Sequence, residues 1–142
     1  LLVTLCPILF GFFKSFMLAM RCKKLFGFCE GLDTLGGCIK NGSCELKNAL
    51  KKSFGKCDFI KIDKTKAFCS DCDLSAQDIQ IINDFLSALG RGTREYEYNR
   101  ILCFKSDIQK IARRLENEQK ASCRLWQTGG ICIGLTLGIL LI

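Results

Sequence analysis

The chain has 142 residues, 49% of them hydrophobic and 25% charged, enough for one domain and marginal for two. That balance excludes intrinsic disorder, and a single proline among 13 glycines excludes collagen-like and proline-rich classes. The absence of histidine removes Ser-His-Asp and Cys-His nucleophilic sites and histidine general bases. The net charge of +7 lies wholly in residues 14–66, where twelve basic residues face five acidic ones. Nucleic-acid surfaces interleave Arg with aromatics and glycines. Here the excess is mostly Lys on ordinary amphipathic segments, which speaks for a membrane flank and against a nucleic-acid partner.

In chain order, residues 1–13 are continuously apolar, Lys14 interrupts, Ser15 to Met20 resumes, and Arg21-Cys22-Lys23-Lys24 closes the segment. Twenty helical residues rise about 30 Å, the thickness of the hydrocarbon core. Residues 1–20 therefore read as a transmembrane anchor, with Lys14 snorkelling toward Arg21. A secretory signal peptide is the rival, but no basic n-region is seen and Leu18-Ala19-Met20 is no small-x-small cleavage site.

Beyond the anchor, Leu25, Phe28, Cys29, Leu32, Leu35 and Ile39 recur at helical spacing, so the first helix should continue to Asn41-Gly42. Ser43 can cap a second helix with Leu46, Ala49, Leu50 and Phe54 inward and Gly55 after it. Residues 56–73 are polar and lysine-rich and read as an irregular linker or a weak extra element. Ser75-Ala-Gln-Asp78 is a capping-box-like start for a third helix with a stripe of Ile79, Ile82, Phe85, Leu86 and Leu89. Gly90 ends it, and Thr93 caps a fourth with Ile101, Phe104, Ile108, Ile111 and Leu115 inward. With no Gly or Pro before Gly129, that helix should run unbroken into the second apolar end, about 73 Å over residues 94–142.

Residues 125–142 carry no charge, with Trp126 at an interfacial position and Lys120 and Arg124 outside it. They read as a second transmembrane helix. Gly130, Gly134 and Gly138 fall on one face, where missing side chains let another helix approach. Basic residues flank both spans inwardly, so residues 21–124 are expected in the cytoplasm. The fold class expected is all-α: a membrane-anchored helical bundle, with a transmembrane helix at each end and a small cytoplasmic helical domain.

The eleven cysteines should be reduced in that compartment. Cys69-Ser-Asp-Cys72 is the single CxxC, and it lacks both a thioredoxin-type strand–helix context and the further ligands of a zinc site. Cys29, Cys38 and Cys103 look like small core residues. No phosphate-binding glycine loop occurs, and Glu95, Glu97, Glu116 and Glu118 read as residues of solvated helix faces. The residues point to no catalytic group, no cofactor and no metal, so the expectation is a protein that is not an enzyme.

Taken in order, Leu74-Ser-Ala-Gln-Asp78, Phe85-Leu-Ser-Ala-Leu-Gly90, the long charged helix from Thr93 and the closing Leu125-Trp-Gln-Thr-Gly-Gly-Ile-Cys-Ile-Gly-Leu-Thr-Leu-Gly-Ile-Leu-Leu-Ile142 resemble the stage III sporulation protein AB family. The likeness is strongest over about 70–142. It departs at Thr93 and Glu97, where the family usually carries an acidic or Ser cap and a glutamine, and at 56–73, where the family has a longer helical segment.

The resemblance implies a multi-pass protein of the mother-cell membrane around the forespore, similar to the F-type platform proteins of type II secretion. It implies a scaffold in the mother cell–forespore channel. Expected partners are the secretion-type ATPase, stage III sporulation protein AA, other stage III sporulation channel proteins, the lipid bilayer and a second copy in a homo-oligomer. Candidate partner-contact residues are Leu89, Gly90, Glu97, Arg113 and Arg114, with Lys51 and Lys52 on a further basic face. A generic membrane-anchored helical module and an exported cysteine-rich thiol or metal protein are the alternatives.

Overall fold

A computed structural model describes residues 2–42, 44–63, 66–70 and 73–140, with side chains from Leu9 onward. The element order is α1 (Leu2–Asn41), α2 (Leu46–Phe54), β1 (Ile60–Asp63), β2 (Lys66–Cys69), α3 (Ala76–Ala88) and α4 (Arg94–Leu140). Helices dominate, and α1 and α4, with 40 and 47 residues, are the frame. At 1.5 Å per residue they reach about 60 and 70 Å.

The two run antiparallel, as their contacts show. Gly36 of α1 faces Tyr98 and Ile101 of α4. Asp33 pairs with Lys105. The Cys22 thiol donates to the Ala112 carbonyl at 3.7 Å, and Ser15 Oγ lies 3.1 Å from Cys123 Sγ. The α1 stripe Cys22, Leu25, Phe28, Cys29, Leu32, Leu35 and Cys38 is buried against Ile101, Ile108, Ala112 and Leu115. The three- and four-residue spacing puts each set on one helix face.

Aromatic packing joins the smaller elements to this frame. Phe28 of α1, fully buried, stacks on Phe54 of α2 at 5.2 Å, and the Phe59 ring lies 6.5 Å away. Phe104 of α4 meets Phe28 edge-on at 6.1 Å and stacks on Phe85 of α3 at 4.0 Å. Such pairs stabilise beyond the area they bury.

The helix ends follow ordinary capping chemistry. Ser75 Oγ accepts the Asp78 N–H at 3.2 Å and opens α3. Gly42 and Gly90 adopt φ of 61° and 83°, the left-handed conformation that stops α1 and α3. The cap expected at Ser43 lies outside the described residues. Glu45 is the N-cap of α2, with no side-chain bond.

The fold is mostly helical, as expected, and adds one small sheet to the helices. Residues expected to form an irregular linker hold a two-stranded antiparallel hairpin, with Ile60 opposite Cys69, Lys61 opposite Phe68, Ile62 opposite Ala67 and Asp63 opposite Lys66. Alternation buries Ile60, Ala67 and Cys69 and turns Lys61, Asp63, Lys66 and Phe68 outward. The Asn83 side chain accepts the Cys69 N–H at 2.6 Å and donates to the Cys69 carbonyl at 3.3 Å. At Cys69 the backbone of β2 is thereby satisfied by α3 instead of a third strand.

Candidate functional site

Two regions carry the residues that the sequence singles out. At the apolar end of the frame, α4 continues through Gly129-Gly130 without a break. Leu125, Ile131, Leu135, Ile139 and Leu140 are each more than 60% exposed. Among the described residues, α4 is the one helix long and apolar enough to cross a membrane. Gly130, Gly134 and Gly138 have no atom of the described residues within 4 Å of where a side chain would begin, so this face is open among the described residues.

The N-terminal helix joins this end at a definite level. Gly11 lies against the Trp126 indole, one step beyond the Ser15–Cys123 contact. That register sets Lys14 beside the level of Arg124. Leu18 packs on the domain core, and Met20 lines a cleft with Lys23, Gly27, Cys57 and Phe59.

The basic flank that closes the first segment is largely engaged within the protein. Arg21 Nε donates to Asp78 Oδ2 at 2.6 Å, and a terminal guanidinium nitrogen donates to Ser75 Oγ at 3.1 Å. Lys24 pairs with Asp73 at 2.6 Å. Lys23 is exposed. These carboxylates at the start of α3 have no helical-stripe signature. Their only sequence signal is an acid in a first helical turn, which capping alone explains.

At the far end, a cleft of about 220 Å³ lies between the end of α1, the start of α2 and the α3–α4 turn, lined by Cys38, Ile39, Leu46, Gly90, Arg94 and Glu97. Leu89 is 9% exposed and belongs to the core. A side chain at Gly90 would press on Leu46. Glu97 corrects the sequence expectation of a solvated face: it is 4% exposed. Its Oε1 accepts the Gly92 N–H at 2.9 Å, and its Oε2 has no hydrogen-bond partner among the described residues. The Tyr96 N–H approaches Thr93 Oγ1 at 3.4 Å, the cap expected there. Arg113 and Arg114 are exposed on α4, more than fifteen residues along the chain from Glu97 of this cleft, and Lys51 and Lys52 are exposed on α2, the helix that lends Leu46 and Ala49 to its lining.

The thiols show what burial does to acidity. Cys29 is pushed up to about 11 by burial, against the opposing pull of Lys105. Burial also raises Cys22 and Cys57, and the carboxylates of Glu116 and Asp58 add to the effect. A raised thiol is a poor nucleophile at neutral pH. Cys69 is buried in β2, and its CxxC partner, Cys72, lies outside the described residues. Among the described residues, no three Cys, Asp or Glu side chains are grouped to hold a metal ion.

A family model for stage III sporulation protein AB matches residues 62–142, more than half of the chain. The chain belongs to the stage III sporulation protein AB family. No curated protein matches it. No solved structure matches it either.

The matched part of this stage III sporulation protein AB family member runs from β1 through β2 and α3 to the apolar end of α4. It includes Asp78, Gly90, Glu97, Arg113, Arg114 and all three glycines of the open face. The helix α1, which supplies the buried stripe from Cys22 to Cys38, and α2 lie before it.

Proposed function

We propose that this protein is a membrane-anchored scaffold of the mother cell–forespore channel, non-enzymatic, which couples a cytoplasmic secretion-type ATPase to the membrane complex. Family membership supports a role in sporulation. The observation that carries the finer reading is the continuity of α4: one helix forms part of the core at Ile101 to Leu115 and runs on as the apolar segment. A long helix packed on a second one transmits displacement, whereas a hinge absorbs it. In this reading α1 supplies a second anchor, residues 21–124 face the cytoplasm, and the open glycine face receives a helix of another channel component or another copy. Arg113, Arg114, Lys51 and Lys52 are the side chains offered to the ATPase or to the inner leaflet.

Deletion of the gene in its native host, followed by counting heat-resistant spores, tests the reading. Arrest after engulfment, rescued by the wild-type gene, is expected. A rescuing copy with a Gly-Gly-Ser insertion after Glu118 should reach the membrane and still fail to restore spores. Normal spore yield from the deletion strain would leave a generic membrane-anchored helical module. Full rescue by the insertion variant would remove the coupling role.

A further inference from the structure

The β-hairpin is the element that family-level expectation leaves without a task. The segment that enters it and the helix that follows it meet α1 at one height. Phe59, just before β1, shares a cleft with Met20, Lys23 and Gly27. Ser75 and Asp78, at the start of α3, the helix that follows β2, bind Arg21. The apolar ends of α1 and α4 begin at the Ser15–Cys123 and Gly11–Trp126 contacts. Six residues of helix separate Ser15 from Arg21, about 9 Å. That distance is close to the headgroup thickness of one leaflet and to the Debye length at physiological salt, about 8 Å.

The outward face of the hairpin suits such a neighbour. Phe68 is 43% exposed, and its cross-strand partner is Lys61. Lys66 is exposed two residues along, opposite Asp63. Lys23 and Lys56 stand on the adjoining cleft, with Asp58 beside them. On the hairpin face itself two lysines stand against one acid, Asp63, beside an exposed aromatic ring. An aromatic edge with lysines beside it is the chemistry of an interfacial membrane contact, in which the ring enters the headgroup layer and the ammonium groups meet phosphate.

We infer that the outer face of the β1–β2 hairpin, Lys61, Lys66 and Phe68, rests on the anionic lipid headgroups beside the apolar helix ends. The inference rests on the membrane-anchored reading above. It adds a third point of contact, which would hold the helical domain at one tilt to the bilayer.

The chain has one tryptophan, which makes the test direct. The full chain is reconstituted into phosphatidylcholine vesicles with or without phosphatidylglycerol, each containing lipids brominated near the headgroup. Trp126 of the wild-type protein reports the helical anchor. The Phe68→Trp, Trp126→Phe variant reports the hairpin. Its indole should be quenched at least twofold more strongly with phosphatidylglycerol present, and Lys61→Gln with Lys66→Gln should abolish the difference. As an independent measure on the unaltered chain, photoactivatable phosphatidylglycerol should crosslink to Lys61, Lys66 or Phe68. Quenching of Trp126 without quenching or crosslinking at the hairpin overturns the inference and leaves the anchor standing. Quenching at the hairpin that ignores phosphatidylglycerol and both lysine substitutions overturns the anionic contact. Absence of quenching at Trp126 itself overturns the anchored reading and this inference with it.

Discussion

Arg21 and Asp78 are 57 residues apart in sequence and meet at 2.6 Å, with the Asp78 side chain only 6% exposed. The same guanidinium reaches Ser75, so one α1 side chain clamps the whole first turn of α3. Asp78→Ala should lower stability by about 2–3 kcal/mol, the range for a hydrogen bond to a charged group that is shielded from water. Arg21→Lys should cost less, since the charge stays and the second contact goes. Denaturant unfolding of the chain in nanodiscs measures both. Lys110→Ala, which breaks the exposed pair with Asp107, is the control and should stay within about 0.5 kcal/mol of wild type.

Phe28 touches the aromatic rings of α2, of the segment before β1 and of α4. Phe28→Ala should cost about 3–5 kcal/mol and Phe28→Leu distinctly less, because truncation opens a cavity in a core that cannot close around it. The same unfolding measurement ranks the two.

Gly11 has the Trp126 indole where a side chain would stand. Gly11→Leu should part α1 from α4 at the apolar end while leaving the aromatic core intact. In a background whose other cysteines are replaced, Ser15→Cys should form a disulfide with Cys123 on mild oxidation. Adding Gly11→Leu should suppress that crosslink severalfold.

Glu97 has one carboxylate oxygen bonded to Gly92 N–H and one that is buried and unbonded among the described residues. Glu97→Gln keeps an acceptor for Gly92 and puts an uncharged amide in the buried site. Stability should hold or rise by about 1 kcal/mol. Glu97→Ala, which strips the turn of its acceptor, should lower it by about 1–2 kcal/mol. Paired thermal melts distinguish these signs.

The buried thiols give a pH dependence with a defined sign. Below pH 9 they are protonated in the folded and the unfolded chain, and their contribution is fully present. As pH rises past 9 the unfolded chain loses its thiol protons first, whereas native Cys29 keeps its proton to about 11. Stability should therefore fall across that window, and replacing Cys29 with Ala should flatten the fall. Cys103, expected as a small core residue, is exposed on α4, and at neutral pH a maleimide should label it well before Cys22, Cys29 or Cys38, as peptide mass mapping would show.

Much of the frame was legible because its signals are local and repeated. The α1 stripe from Leu25 to Ile39, the Gly42 and Gly90 stops, the Ser75 cap and the α4 stripe from Ile101 to Leu115 each satisfy the spacing of a helix on their own. The hairpin was not legible. Its strands are four residues each, too short for alternation to stand out, and three lysines mask the inward Ile60, Ile62, Ala67 and Cys69. What orders it comes from outside: Asn83 on α3 and the core beneath. Glu97 escaped for a similar reason. It sits among Arg94, Glu95 and Tyr96 in a segment that looks solvated, and its burial is produced by the end of α1 and the start of α2, more than fifty residues away. The Arg21–Asp78 clamp is likewise a tertiary fact. Sequence reading assigned Arg21 to the lipid flank, whereas its guanidinium is committed to α3.

The absence of a loop between the core and the apolar end of α4 changes how any partner meets this protein. A domain on a flexible tether sweeps a volume, and each encounter must find its height and orientation anew. Here the helix that forms the core is also the helix that leaves it. With that helix seated in a bilayer, the domain moves by translation in the plane, by rotation about the membrane normal and by the tilt of the helix itself. Its upper cleft and its basic faces then travel at an altitude that varies only with that tilt, and assembly with neighbours reduces from a search in three dimensions to a search in two.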